Sequence, residues 1–123
     1  MNKYDFIDSV ITIDESKIKD FNTIYESCKE LADNKPCIAV NMLLAEELSE
    51  LIQPIIKLER WETGDEFLRC EYRDILDNIY EELSDVIIML FQFVYKYDID
   101  YDKITDKISE KLIRVYETKY GEK

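Results

Sequence analysis

Residues Ala45 to Ile52 read AEELSELI and residues Tyr80 to Ile87 read YEELSDVI, so Glu46, Glu47, Leu48, Ser49 and Glu50 return as Glu81, Glu82, Leu83, Ser84 and Asp85. Each copy lies in an apolar stretch long enough for a buried helix. On a helix, residues three and four apart share a face. Each copy therefore offers two carboxylates from one side, Glu47 with Glu50 and Glu82 with Asp85, and two such pairs facing each other make a cage for a metal ion.

A helical wheel sharpens the pattern. With Val40 at zero and about 100° per residue, Leu51, Leu44, Ile55 and Leu48 fall within roughly 80°, and Glu47 lies about 20° to the other side, between that stripe and Leu43. From Ile79, the stripe is Leu83, Val86, Leu90 and Val94, bordered by Ile75, Met89 and Phe93, with Glu82 among these three about 60° off centre. Asp85 falls just outside the border. A carboxylate in an apolar stripe is costly unless paired or bound to metal, and four together raise one another's pKa. A divalent cation relieves both costs. A single ExxE is most often a solvated helix face; two copies on apolar helices are what favour a site. Glu46 and Glu81 turn further out, as solvated neighbours or outer carboxylates.

The 123 residues suit one domain over 1–123. Two glycines and two prolines leave few turns, which favours an all-α, four-helix-type bundle with the carboxylate helices antiparallel. A formal charge of −12 argues against a nucleic acid polymer as partner, for want of a basic patch. Cys28, Cys37 and Cys70 form no CxxC and read as reduced thiols of a cytoplasmic protein. No signal peptide is visible, the start being acidic, and Val86 to Val94, the most apolar run, is too short for a membrane span and is followed by charge.

Residues 1–13 have no clean period and read as an arm or a short helix. Asp14 or Ser16 can cap a helix in which Ile18, Phe21, Ile24 or Tyr25, Cys28 and Leu31 keep helical spacing to Ala32. Pro36 suits the first turn of the next helix, Ala39 to about Leu58. Pro54 inside it predicts either a kink or division at the carbonyl of Glu50, or a tolerated surface bend. Lys57 is a phosphate contact or a solvated cation. Trp61, beside the turn at Gly64, is a stacking platform for a base or simply packing. Residues 66–74 read as a short helix leading into the third long one, Ile75 to Tyr97. Asp100 or Asp102 can cap a fourth, with Ile104, Ile108, Leu112 and Val115 on one face, ending near Tyr120 with Gly121 as the stop. Lys107, Lys111, Arg114 and Lys119 line its polar faces; Lys111 and Arg114 are phosphate candidates.

With these residues placed, the chain resembles the MazG-like, all-α nucleoside triphosphate pyrophosphohydrolases over about residues 37 to 120. Their EExxE and ExxD signature is matched by Glu46, Glu47 and Glu50, then Glu82 and Asp85. EELSDVIIMLFQF resembles the EExxDVxIMLxQ wording of small members, and KLIR at Lys111 to Arg114 is similar to a basic KLxR on their last helix. The interval between the motifs is longer than is common, which marks residues 59–74 as an insertion. Related phosphoribosyl-ATP hydrolases carry a histidine soon after the aspartate; this chain has none.

The resemblance implies hydrolysis of a (deoxy)nucleoside triphosphate to the monophosphate and pyrophosphate with Mg²⁺, or Mn²⁺, in a homodimer or homotetramer. An all-oxygen donor set agrees, since these cations take carboxylates and water while zinc and di-iron sites want histidine. The expected metal ligands are Glu47, Glu50, Glu82 and Asp85; Glu46, with Glu47, serves catalysis, and Lys111, Arg114, Lys57 and Trp61 bind substrate. The aromatics Tyr72, Tyr80, Phe91 and Tyr95 are expected to meet another copy. The alternative is a non-enzymatic helical module whose acidic faces are solvated or bind a regulatory cation, or a relative that keeps the fold without the chemistry.

Overall fold

The computed structural model describes residues 20–120. The arm expected over 1–13, the caps expected at Asp14 or Ser16 and the stop expected at Gly121 lie outside them. The described residues form four helices and no strand: α1 (Phe21–Asp33), α2 (Cys37–Glu62), α3 (Tyr72–Lys96) and α4 (Tyr101–Tyr120). The all-α expectation holds.

Helix α1 begins at Phe21, where Asp20 is extended and its carboxylate accepts from Thr23 N at 2.8 Å and from Thr23 Oγ1 at 3.1 Å. Pro36 is the extended cap of α2 rather than a residue of its first turn. Its carbonyl accepts from Ala39 N and Val40 N. Pro54 neither divides α2 nor sits on its surface: the helix runs through it to Glu62, and the ring is buried. The apolar pocket that takes the ring offsets the hydrogen bond its nitrogen cannot donate.

The structure pairs α2 and α3 antiparallel, as three contacts show. Near the start of α2, Asn41 Nδ2 donates to Tyr97 Oη at 2.7 Å, and Lys35 Nζ to Gln92 Oε1 at 2.8 Å. At its far end, the Trp61 ring lies 4.7 Å from that of Tyr72. The facing rows are Val40, Leu44, Glu47, Leu51, Pro54 and Leu58 on α2 and Ile75, Ile79, Glu82, Val86, Met89 and Phe93 on α3, all buried or half-buried. Both rows step four, three, four, three, four, the spacing that keeps one seam against a partner helix. The seam of α3 thus runs through the border residues of the wheel, and Leu83 and Leu90, expected in its stripe, are exposed.

Helix α1 packs against the second half of α3. Phe91 meets Phe21 and Tyr25 edge-on at 6.0 and 5.7 Å, Tyr95 Oη donates to Asp33 Oδ1 at 2.6 Å, and Cys28 and Ala32 are buried. Of the aromatics expected to meet another copy, Phe91, Tyr95 and Tyr72 are therefore engaged within the chain, and Tyr80 is exposed.

Both carboxylate helices stop the same way. In α2, Asp65 N donates to Arg60 O and Gly64 N to Trp61 O, with Gly64 at φ 75°; in α3, Ile99 N donates to Val94 O and Asp98 N to Tyr95 O, with Asp98 at φ 47°. These are Schellman stops, which need one residue in the left-handed region. The segment after the first stop forms no separate helix, because Asp65 Oδ1 accepts from Phe67 N at 2.9 Å and holds a turn. Asp100 caps α4, accepting from Asp102 N at 2.9 Å. Helix α4 makes no extensive contact with the other three.

Candidate metal centre

Two helices build the site because each carries a glutamate where its seam demands an apolar residue. Glu47 and Glu82 hold the third place in their rows, close to the middle of the seam, so the antiparallel pairing leaves them as near neighbours across it. Asp85 lies one turn beyond Glu82. One carboxylate oxygen from each of Glu47, Glu82 and Asp85 falls within 4.8 Å of the others.

Glu47 and Glu82 are half-buried as residues, yet Oε2 of each is fully covered and has no hydrogen-bond partner. A covered carboxylate oxygen without a donor is costly, and here two occur together. Their pKa values record this. Loss of water is the first cause that raises Glu47, followed by the charges of Glu50 and Asp85, a hydrogen bond with the Glu50 side chain, and the charge of Glu82. Glu82 is likewise raised by loss of water first, then by Glu50, Asp85 and Glu81.

Three acidic oxygens at this separation, two of them lacking donors, fit a hard divalent cation with oxygen ligands. Glu50 stands beside the trio, half-buried and coupled to both glutamates. Glu46 and Glu81 are exposed on the outer sides. Ser84 turns back to its own helix, its hydroxyl donating to Tyr80 O at 2.7 Å.

The remaining expected site residues lie elsewhere. Lys57 is exposed on α2, roughly 15 Å along the axis from Glu47. Trp61 is partly exposed and stacks on Tyr72 within the chain. Lys111 and Arg114 are exposed on α4, and the structure does not pack that helix against the carboxylates. Two grooves line other surfaces, one at Ile99, Ile104 and Ile108 and one between Tyr25 and Tyr95; neither borders the carboxylates.

Sequence reasoning placed Glu82 off the centre of its helix face, whereas it lies in the seam; the four-three spacing from Ile75 to Phe93 was the available signal. It also passed over Gln92, almost fully buried and held by Lys35, since a polar residue amid apolar ones gives no sign of its partner.

The model of the MazG nucleotide pyrophosphohydrolase domain matches residues 38–119. No curated protein and no solved structure matches the chain.

Proposed function

The chain belongs to the MazG nucleotide pyrophosphohydrolase domain family, and from that premise we propose that it hydrolyses a nucleoside or deoxynucleoside triphosphate to the monophosphate and pyrophosphate, in control of the nucleotide pool. The observation that carries this reading is the pair of covered, partnerless oxygens on Glu47 and Glu82. Among the described residues none donates to these oxygens, and a bound divalent cation would offset their charge.

Glu47, Glu82 and Asp85 would hold the ion, Mg²⁺ or Mn²⁺, with Glu50 completing the set. When bound, it supplies charge neutralisation at the triphosphate and a more acidic water. Glu46, exposed beside Glu47, accepts a proton from the water that attacks the α-phosphorus. That water's oxygen bonds to the phosphorus as the bond to the α,β-bridging oxygen breaks, and pyrophosphate leaves with the electron pair. The covered side of the site, walled by Leu44, Leu51, Ile79 and Val86, keeps other water from the glutamates and holds their carboxylates in one orientation.

Lys111 and Arg114 stabilise the leaving pyrophosphate from α4 of another copy, in a homodimer or homotetramer, because α4 does not pack on its own chain's carboxylates. Lys57 and Trp61 serve the outer parts of the nucleotide. The charge of −12 turns away nucleic acid polymers. No helix among the described residues is long and apolar enough to cross a membrane, and we place the protein in the cytoplasm.

Turnover in heavy-oxygen water tests the chemistry. The label is expected in the monophosphate. Label in the pyrophosphate would move the attack to the β-phosphorus and contradict this reading.

A further inference from the structure

Gln92 belongs to the stretch EELSDVIIMLFQF, yet neither the seam nor the carboxylate trio uses it. From Asp85 to Gln92 a helix turns about 700°, within about 20° of two full circles, and rises roughly 10 Å. Gln92 therefore stands on the Asp85 face of α3, further along the axis. It is 1% exposed, at the point where the turn between α1 and α2 meets α3. Its Nε2 donates to Met89 Sδ at 3.5 Å, and its Oε1 accepts from Lys35 Nζ at 2.8 Å.

Lys35 is fixed along its whole length. Its backbone N donates to the carbonyl of the buried Ala32 at 3.0 Å, and the residue after it is Pro36, the extended cap of α2. The side chain is half-buried, and no ion pair joins it to a carboxylate among the described residues. Its partner is a neutral amide, in a chain with 28 acidic residues against 16 basic ones. An amide oxygen holds an ammonium in place without neutralising it. Lys57, Lys111 and Arg114 are exposed, whereas Lys35 is held in place. A fixed, uncompensated positive charge and the acidic site thus share one face of α3.

We propose that Lys35 receives the β- and γ-phosphates of the substrate from the same chain that supplies the carboxylates, and that Gln92 is its positioning residue. The inference rests on the proposed triphosphate hydrolysis. With the α-phosphorus at the carboxylates, a phosphate tail running along this face toward the α1–α2 turn meets the ammonium. Its charge then opposes the repulsion between an anionic substrate and an acidic chain. The amide of Gln92 keeps the ammonium there before substrate arrives, so little ordering remains for binding to supply.

Product inhibition of the full chain tests this, with inorganic pyrophosphate and the nucleoside monophosphate as separate inhibitors. The proteins compared are wild type, Lys35→Arg, Gln92→Leu, and Lys35→Met combined with Gln92→Leu. The combined variant strands no buried amide, and its circular dichroism melt is expected to show it folded at the assay temperature. It should raise KM for the triphosphate and the inhibition constant of pyrophosphate by about tenfold or more, with the inhibition constant of the monophosphate unchanged. Gln92→Leu alone should show a smaller rise with the same selectivity, and Lys35→Arg, which keeps a charged donor, should stay near wild type. Equal weakening of both products, or none for pyrophosphate, in the folded combined variant would overturn the role of Lys35 while leaving the hydrolysis standing. Gln92→Leu indistinguishable from wild type would overturn the positioning role. A folded, metal-loaded wild type that turns over no nucleotide would overturn the hydrolysis and this inference together.

Discussion

Glu47 and Glu82 occupy equivalent places in two matched seams, each the third residue of its row, and each keeps a covered carboxylate oxygen with no hydrogen-bond partner. The repeated phrase in the sequence is thus also a repeat in space. The antiparallel pairing turns two similar helices into one acidic site, and the apolar residues around the glutamates make their charge expensive in the absence of a cation.

That expense predicts how stability depends on pH. Glu47 and Glu82 are raised above the ordinary 4.5, so the folded state holds their protons more tightly than the unfolded chain. Below the ordinary value both states are protonated and the contribution is fully present. As pH rises through the raised values, the unfolded chain releases its protons more readily and stability is lost. Thermal melts of the metal-free protein should therefore fall from mildly acidic to neutral pH, and Glu82→Gln should flatten the fall.

Divalent cations should reverse the loss. An ion that binds only the folded state should raise the melting temperature at neutral pH by on the order of 10 °C when present well above its dissociation constant. The gain should shrink as pH falls toward 4.5, where protons compete for the same oxygens. Calorimetry with Mg²⁺, Mn²⁺ and a chelator checks this. An equal gain from Na⁺ at matched ionic strength would argue for general screening of the charge instead.

The two helix stops predict opposite signs for two substitutions. Gly64→Ala should cost about 1 kcal/mol through left-handed backbone strain alone, because an added Cβ meets nothing within 4 Å. Asp98→Gly should gain up to about 1 kcal/mol by relieving the same strain. Chemical denaturation reads both, and a stabilising Gly64→Ala would contradict the geometry.

The Lys35 to Gln92 hydrogen bond ties the α1–α2 turn to α3. Lys35→Met should destabilise by about 1–3 kcal/mol, because it leaves the carbonyl of Gln92 buried without its donor. Gln92→Leu in the same background should recover part of that loss by replacing the stranded amide with an apolar side chain. A double variant no more stable than Lys35→Met would show that the cost arises elsewhere.

Much of this was legible from periodicity and repetition. The helices carrying AEELSELI and YEELSDVI, their antiparallel pairing and the inward turn of Glu47 all follow from apolar spacing and a turn at Gly64. Less legible were features decided by long-range partners. Asp20 caps α1 because Thr23 offers it two donors, a pairing that apolar spacing does not display. The spacing around Pro54 allows a kink, a division or a surface bend, yet the helix runs through it and the ring is buried. The aromatics Phe91, Tyr95 and Tyr72 looked like an outer surface until α1 and Trp61 supplied their partners. Lys111 and Arg114 stand on a helix that is not packed on the two carboxylate helices, and no local pattern could place them.

The most direct test of the central claim is pyrophosphate release from a panel of ribo- and deoxynucleoside triphosphates with Mg²⁺, beside Glu47→Gln, Glu82→Gln and a chelator control. Turnover of at least one nucleotide is expected, falling by about a hundredfold or more in each variant and vanishing with the chelator. Near-normal turnover in both folded variants, or none with any nucleotide in folded, metal-loaded wild type, would contradict the assignment.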